Sequence, residues 1–492
     1  MDPQPQHEPR APAQRLAQLD QAHVWHPFTP MRQWREQPPT VIDHALGPYL
    51  YDLAGHRYID GVSSLWCNVH GHRVPEIDRA IRDQLDRVAH TTLLGLASPP
   101  SIELAARLCA ILRPLGGASP LNKVFYSDAG ATAVEAAIKM AVGHWHHRGR
   151  PQRRRLLALG GAYHGDTAGA MSVGFSDLYH RPYAHLAFPV HTLPMPDPCR
   201  PDAELLKQAG GRAALYADGR WPSEQAWLGE AQRGRALAAL AGELERHGRE
   251  LAAAVVEPLV QGAAGILIQP PGFLAGAARL LREAGALLIA DEVATGFGRT
   301  GALFACEHEA VAPDLLCLGK GLTGGYLPLA ATLATDEVED SFTGEIADRR
   351  TFFHGHTYTG NALACAAALA SLDLFASSPS GRPLLEHVRA AGEALAAELE
   401  PLRECSHVMD LRRCGLMVGI ELGRDRLTGE GYAYERRVGY RLCMAMRARG
   451  VFLRPIGDVV ILMPILAAPL DVARELGRVV RETILGFAWP VD

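Results

Sequence analysis

An α/β protein with a mostly parallel sheet and a second, smaller α/β layer is predicted by three features of the sequence. Two apolar runs of buried-strand type, Ala286–Ala290 and Leu315–Leu318, each stop at a polar position, at Asp291 and at Gly319-Lys320-Gly321. Strand and helix patterns alternate from Val124 to Ala334, as parallel strands with crossover helices require. From about Gly381 the character changes, and helices and strands there form a separate series.

The chain has 492 residues, more than one ordinary domain, and can bury a large core. It is 48% hydrophobic and 21% charged, a globular composition. A formal charge of -5 gives no reason to expect nucleic acid or an anionic membrane surface as a partner. The 9 cysteines contain no C-x-x-C pair, which suits thiols in a reducing compartment and speaks against a disulfide frame or zinc site. His144, His146 and His147 cluster in HWHH, but Arg148 and Gly149 follow, so the group reads as a solvated helix end and no metal is expected. No apolar run reaches membrane-spanning length, and MDPQPQHEPRAPAQR lacks a signal-peptide core, so a cytoplasmic protein is expected.

Along the chain, residues 1–18 are rich in Pro, Gln and Arg and read as a mobile tail. His23–Trp34 concentrates aromatics in a proline-broken segment, which reads either as a clasp on the core or as a substrate wall. Tyr49–Asp52 and Tyr58–Asp60 form a hairpin leading into a Gly/Ser loop with Trp66 and His70, each of which suits the core equally well. Val124–Tyr126 is strand-like and Ala133–His147 has helical spacing. The small-residue turn between them would aim free N–H groups and the helix dipole at one point, suited to a phosphate or simply a connection. Arg155–Leu159 is a strand that runs into a glycine-rich turn, where Tyr163 can stack on a flat ring and Asp166 can orient neighbours. Pro194–Gly234 reads as a surface excursion, Arg235–Leu251 as a helix, and Ala252–Val256 as a strand ending at Glu257, with Gln261 and Gly262 beyond. The crossover helix Gly272–Gly285 and the strand Leu329–Ala334 complete this layer, and a Gly/Thr loop then opens an Ala-rich helix up to Leu372. In the last part, helices at Pro383–Arg403, Tyr434–Arg449 and Leu470–Ile484 alternate with strands near Leu416–Glu421, Val451–Arg454 and Val459–Leu462. Arg454, flanked by an apolar run and a proline, reads as a buried ion pair or as a carboxylate clamp.

An acid and an amine, each at the carboxyl end of a buried strand, meet where open α/β sheets bind ligands. A lysine amine can hold pyridoxal phosphate covalently while a carboxylate keeps the pyridine nitrogen protonated, so that the ring draws electrons. A competing pattern is Gly296-x-Gly298-x-x-Gly301, the spacing of a dinucleotide-binding loop and hence of an NAD(P)-dependent oxidoreductase, although no clear helical run follows it.

DEVATGFGRTG with GKGLTGG resembles the class III aminotransferases of fold type I, and the similarity runs from about His23 to the C-terminus. VWHPFTPM, DGVSSLWCNVHGH, GAYHGDTAGAMSV and EPLVQGAAG are similar to the branch of that class that aminates 8-amino-7-oxononanoate in biotin synthesis. The resemblance implies pyridoxal 5'-phosphate as cofactor and a ping-pong transamination with S-adenosylmethionine as donor. It divides the chain into an N-terminal segment joining the small domain (19–75), a large cofactor-binding domain (76–375) and a C-terminal small domain (376–492). It makes Lys320 the covalent anchor and proton carrier and Asp291 the partner of the pyridinium nitrogen. Tyr163 and Val293 would cover the ring faces, and the Gly130 and Ala131 amides would take the phosphate. Thr357 would reach that phosphate from the neighbouring subunit, which implies a homodimer with shared active sites. Arg454 would hold the keto acid's carboxylate, with Arg299 a weaker candidate for the same surface, while Trp66 and Phe28 would line the substrate channel.

Three departures stand out. Phe28 takes the place of the usual tyrosine, Leu65 that of the first member of a Trp-Trp pair, and HGHTYTGN stands for HGPTFMGN. These variants resemble a branch that uses lysine as donor. An ω-amino acid or diamine:pyruvate aminotransferase of the same class would share Lys320 and Asp291.

Overall fold

The computed structural model describes residues 13–37, 39–115, 120–376 and 381–490. Its largest sheet has seven strands: β1 (Leu121–Ser127), β2 (Arg155–Leu159), β3 (His191–Leu193), β4 (Leu251–Val256), β5 (Leu287–Asp291), β6 (Leu315–Leu318) and β7 (Ala330–Thr335). Their spatial order is β1-β7-β6-β5-β4-β2-β3. From β3 to β6 all neighbours are parallel, and β7 alone runs antiparallel to both of its neighbours, β6 and β1. The exception has a local cause. β6 and β7 are joined by a short stretch whose only regular element is the 3₁₀ turn Lys320–Thr323, and a parallel return needs a long crossover.

Strands β4 to β7 are buried along their whole length, which is why they read as unbroken apolar runs. Alternate residues serve the two faces. Ala253, Val255, Ile289, Leu315 and Cys317 pack with helix α1 (Gly130–His147) through Ala133, Ala137 and Ala141. Ala254, Val256, Leu288, Ala290, Leu316 and Leu318 pack with helices α2 (Ala226–His247) and α3 (Phe273–Ala284) through Leu240, Leu274 and Leu281. Burying each leucine, isoleucine or valine among these stabilises the fold by about 1.5–3 kcal/mol. The two faces therefore leave the carboxyl ends of β4, β5 and β6 as a rigid ledge.

The C-terminal layer is an antiparallel sheet of Val408–Cys414, Met417–Leu422, Val459–Leu462 and Arg454–Ile456, backed by the helices Leu384–Leu399, Val438–Ala448 and Leu470–Leu485. Its first strand has no counterpart among the elements expected from the sequence. Asp410 and Arg412 hide its inward face from any hydropathy pattern, because they are buried as a pair with Glu421 rather than exposed. The N-terminal hairpin Tyr49–Asp52 and Arg57–Asp60 joins this half of the molecule through Val451–Phe452, which pairs with Arg57–Asp60.

Two expectations are corrected, and the loop reading after Asp60 gains a definite backbone. Residues 13–18, read as part of a tail, lie within a helix, Ala13–His23, and residues 1–12 lie outside the described residues. The supposed excursion at 194–234 is stitched to the C-terminal sheet. Trp221 is buried there, Ser223 donates to Asp410, Tyr216 donates to the Met409 carbonyl, and α2 already begins at Ala226. The Gly/Ser loop after Asp60 is a compact turn in which Ser63, Ser64, Leu65 and Trp66 all have positive φ, at 46°, 50°, 73° and 70°. Left-handed backbone costs non-glycine residues roughly 1–2 kcal/mol each, so such a turn persists only where its surroundings hold it.

Candidate active site

Asp291 closes β5 and lies in register with Cys317 of β6, so the acid and Lys320 emerge from adjacent parallel strand ends. Lys320 itself has φ 39° in the 3₁₀ turn that follows β6, and its Nζ stands 5.1 Å from the centroid of the Trp66 ring. Burial pushes the amine's pKa below its ordinary value, and the nearby charges of Asp291 and Glu257 only partly oppose this. A nucleophilic lysine needs such a shift.

Asp291 is held from two directions. Its Oδ1 accepts the Val293 N–H at 3.0 Å, and its Oδ2 lies 2.7 Å from Nδ1 of His164, with both side chains buried. Burial by itself would push the His164 pKa down; the hydrogen bond to Asp291 and its charge overcome that and raise it. His164 was not among the candidates expected from the sequence, although its position directly after Tyr163 in GAYHGDTAGAMSV was the available signal. At the end of β4, Glu257 accepts N–H groups from Tyr163 (3.1 Å) and Gly262 (2.9 Å), and burial lifts its pKa to about 7. Gln261, beside it, has both amide atoms buried and unpartnered, as does Nε2 of His164. Buried polar atoms left open are costly, and these suit the polar rim of a bound ligand.

The turn into α1 has no side-chain cap on its first free amides, since Thr132 bonds back to Ala129. Gly130 and Ala131 thus present unpaired N–H groups at the positive end of an 18-residue helix. A side chain at Gly130 would collide with Val293, its Cβ falling 2.5 Å from Cγ1. Val293 is thereby fixed between Gly130 and the strand-end acid. Tyr163, half-buried, donates from its hydroxyl to Asp166 at 2.7 Å, and the following Gly165 lies against Ala131. Through these contacts Asp291, Lys320, Tyr163, Val293, Gly130 and Ala131 are gathered around the ends of β5 and β6. The donors fit pyridoxal phosphate: an acid for a ring nitrogen, an amine for an aldehyde, apolar and aromatic covers, and amides for a phosphate.

The remaining candidates are placed differently. Thr357 is exposed on this chain, and its carbonyl accepts from Nε2 of His90 at 2.9 Å. Trp66 rides on the left-handed turn, against Gly262. Phe28, with φ 49°, is exposed and meets Tyr179 edge-on at 5.8 Å. Arg454 is not buried, as its flanks suggested. It opens the sheet's edge strand, faces solvent, and donates to the Phe28 carbonyl at 2.9 Å. Arg299 is not a substrate-surface residue. It is fully buried and donates to the Pro464 carbonyl (2.6 Å), Ser63 Oγ (2.7 Å) and the Asn68 carbonyl (2.8 Å). It is the clasp that holds the left-handed turn under Trp66.

The Gly296–Gly301 pattern does not build a dinucleotide site. Between Asp291 and Leu315 the only regular element is the 3₁₀ turn Ala305–Glu309, so the helix N-terminus that would face a pyrophosphate is missing. Among the described residues no helix is long and apolar enough to cross a membrane.

Comparison with known proteins agrees with this geometry. The model of the family described as aminotransferase class-III matches residues 31–478. A protein of Nitratidesulfovibrio vulgaris named adenosylmethionine-8-amino-7-oxononanoate aminotransferase is 52% identical over 475 residues, 96% of this chain and 82% of its own. One of the same name from Geobacter sulfurreducens is 46% identical, with 92% and 94% covered. The crystal structure of the protein of that name from Methanocaldococcus jannaschii superposes with a TM-score of 0.85 at 39% identity, covering 97% of this chain and 100% of that one. A PLP-bound amine transaminase from an uncultivated Pseudomonas species reaches 0.83 at 33% identity, with 94% and 98% covered.

Proposed function

The chain belongs to the class III aminotransferases, and from that premise we propose that it aminates the 7-keto carbon of 8-amino-7-oxononanoate to give 7,8-diaminononanoate for biotin. The observation that carries the reading is the pairing of Asp291 and Lys320 at the ends of adjacent parallel strands of this chain, and its similarity to proteins that share the name of this activity supports it.

Pyridoxal phosphate, when bound, supplies an electrophilic carbon and a ring that withdraws electrons from the carbon bearing the transferred nitrogen. The rest belongs to the chain. Asp291 would hold a proton on the ring nitrogen, and His164 and the Val293 N–H keep its carboxylate aimed. Lys320, depressed in pKa by burial, is the covalent anchor, and its Nζ carries the proton on and off the substrate carbon. Tyr163 and Val293 would cover the ring, and the Gly130 and Ala131 amides at the α1 terminus would hold its phosphate. Trp66 covers the amine and excludes water. Arg454 binds the carboxylate of the keto acid with its planar fork. Thr357 completes the phosphate site of a second copy, so the working form is a homodimer with shared sites. Its exposure on the single chain supports this reading.

The donor is S-adenosylmethionine, with lysine the variant that Phe28 and Leu65 favour, since they take a hydroxyl and an indole from the wall that a sulfonium would meet. Single-turnover mixing of the purified yellow enzyme with either donor separates the two. Bleaching by S-adenosylmethionine alone supports the first and bleaching by lysine alone the second. A yellow enzyme that neither bleaches retains the cofactor but overturns the biotin assignment.

A further inference from the structure

Three strands away from β5, at the edge of the sheet, three ligand-type side chains converge. His191 is the first residue of β3, the edge strand, which is hydrogen-bonded only to β2. Glu243 and His247 lie on α2 in an i, i+4 relation and so share one face of the helix. Nδ1 of His191 is 2.5 Å from Oε1 of Glu243, and the rings of His191 and His247 stand 4.8 Å apart, tilted by 41°. One ligand atom from each of the three lies within 4.8 Å of the others, and among the described residues no other set of His, Cys, Asp or Glu gathers so closely. The second carboxylate oxygen of Glu243 is taken by Arg246 at 2.7 Å. That contact orients the carboxylate and leaves Oε1 facing the two imidazoles, the arrangement in which an outer residue fixes a metal ligand.

We propose that His191, Glu243 and His247 form a binding site for a divalent transition-metal ion of the Zn²⁺ class, with water in the remaining position. Two imidazoles and one carboxylate suit Zn²⁺ and its first-row neighbours and do not suit Ca²⁺ or Mg²⁺, which take oxygen ligands. Ligands at bonding distance from a tetrahedral Zn²⁺ sit roughly 3.3 Å from one another, so the cluster reaches coordination by side-chain rotation alone. Such an ion clips the three-residue edge strand β3 to the end of α2. It takes no part in transamination, whose paired acid and amine, Asp291 and Lys320, lie at the ends of β5 and β6. Sequence spacing could not show this site, because His191 and Glu243 are 52 residues apart.

The test titrates chelator-treated, dialysed holoenzyme with Zn²⁺ alone by calorimetry, and with Co²⁺ to read ligand-field absorption. The same is done for H247A, E243Q and a protein changed at the other histidine cluster, H146A/H147A. The expected result is one ion per chain in the wild type and in H146A/H147A, with a Zn²⁺-dependent rise in melting temperature. H247A and E243Q lose that rise and bind at least about 100-fold more weakly, beyond what outer-shell changes cost, with unchanged transaminase turnover. Should H247A fail to fold, E243Q, nearly isosteric and partly exposed, carries the same comparison. Absence of stoichiometric binding in the wild type, or equal binding in E243Q, H247A and the wild type, overturns the site and leaves a plain His–Glu hydrogen bond.

Discussion

His164 and Asp291 touch through a single contact of 2.7 Å between Nδ1 and Oδ2, made in full burial by residues 127 positions apart. The strand-end acid is thus aimed by a loop that follows β2, the same loop that carries Tyr163 over the site. His164→Asn keeps a side-chain amide near Oδ2 and removes the titratable ring. Turnover should fall by roughly 10–100-fold, the usual cost of losing an orienting partner, with little change in substrate KM. Steady-state kinetics of the loaded enzyme measures this, and an unchanged kcat would count against the role.

The same pair links stability to pH. The folded state raises the His164 pKa above its ordinary 6.5. The protonated pair therefore stabilises the fold fully below about pH 6.5 and loses that contribution as pH rises through the raised value. In melts of the cofactor-free protein, the gap between wild type and His164→Asn should be widest at mildly acidic pH and shrink toward alkaline pH.

Arg299 supports the turn beneath Trp66. Arg299→Met would leave Ser63 Oγ and the Asn68 and Pro464 carbonyls without their donor, at about 1–3 kcal/mol for each buried group left unpaired. Urea unfolding should show a loss of at least about 2 kcal/mol. A substrate-binding arginine would instead raise keto-acid KM at unchanged stability.

Arg454→Ala should weaken the keto-acid half-reaction by roughly 10- to 150-fold, the value of about 1.5–3 kcal/mol for hydrogen bonds to a charged group. A donor half-reaction that does not use the contact should change far less. Because the guanidinium also holds the Phe28 carbonyl, a smaller common loss in both halves would report loosening of that loop.

Lys320→Ala should abolish turnover without unfolding the protein. Mixed with a Thr357→Val chain, it should regain activity. In the mixed dimer one site combines both changes and the other neither, so a shared active site restores up to half of the wild-type rate. No recovery on mixing would argue that each site is built from one chain.

Strand ends, periodicities and small-residue turns are legible in the amino-acid sequence alone, because they record local preferences. Asp291 and Lys320 stop apolar runs of strand length, and a small-residue turn around Gly130 leads into helical spacing from Ala133. Long-range choices of partner are not legible there. Nothing in VFLRP says that Arg454 faces solvent on an edge strand, and nothing in GFGRTG says that Arg299 reaches Ser63, Asn68 and Pro464. The left-handed run at Ser63–Trp66 goes against the preference of each of its residues, and only packing around a buried guanidinium makes it the better choice. Asp410 and Arg412 hide a strand because a charge satisfied in the core looks in sequence like a charge in water. Local physics, then, set which segments became strands and helices and which of them ended in reactive groups. Tertiary packing decided which polar atoms would find one another, since burial makes every unpaired partner costly and that cost is felt only in the folded chain.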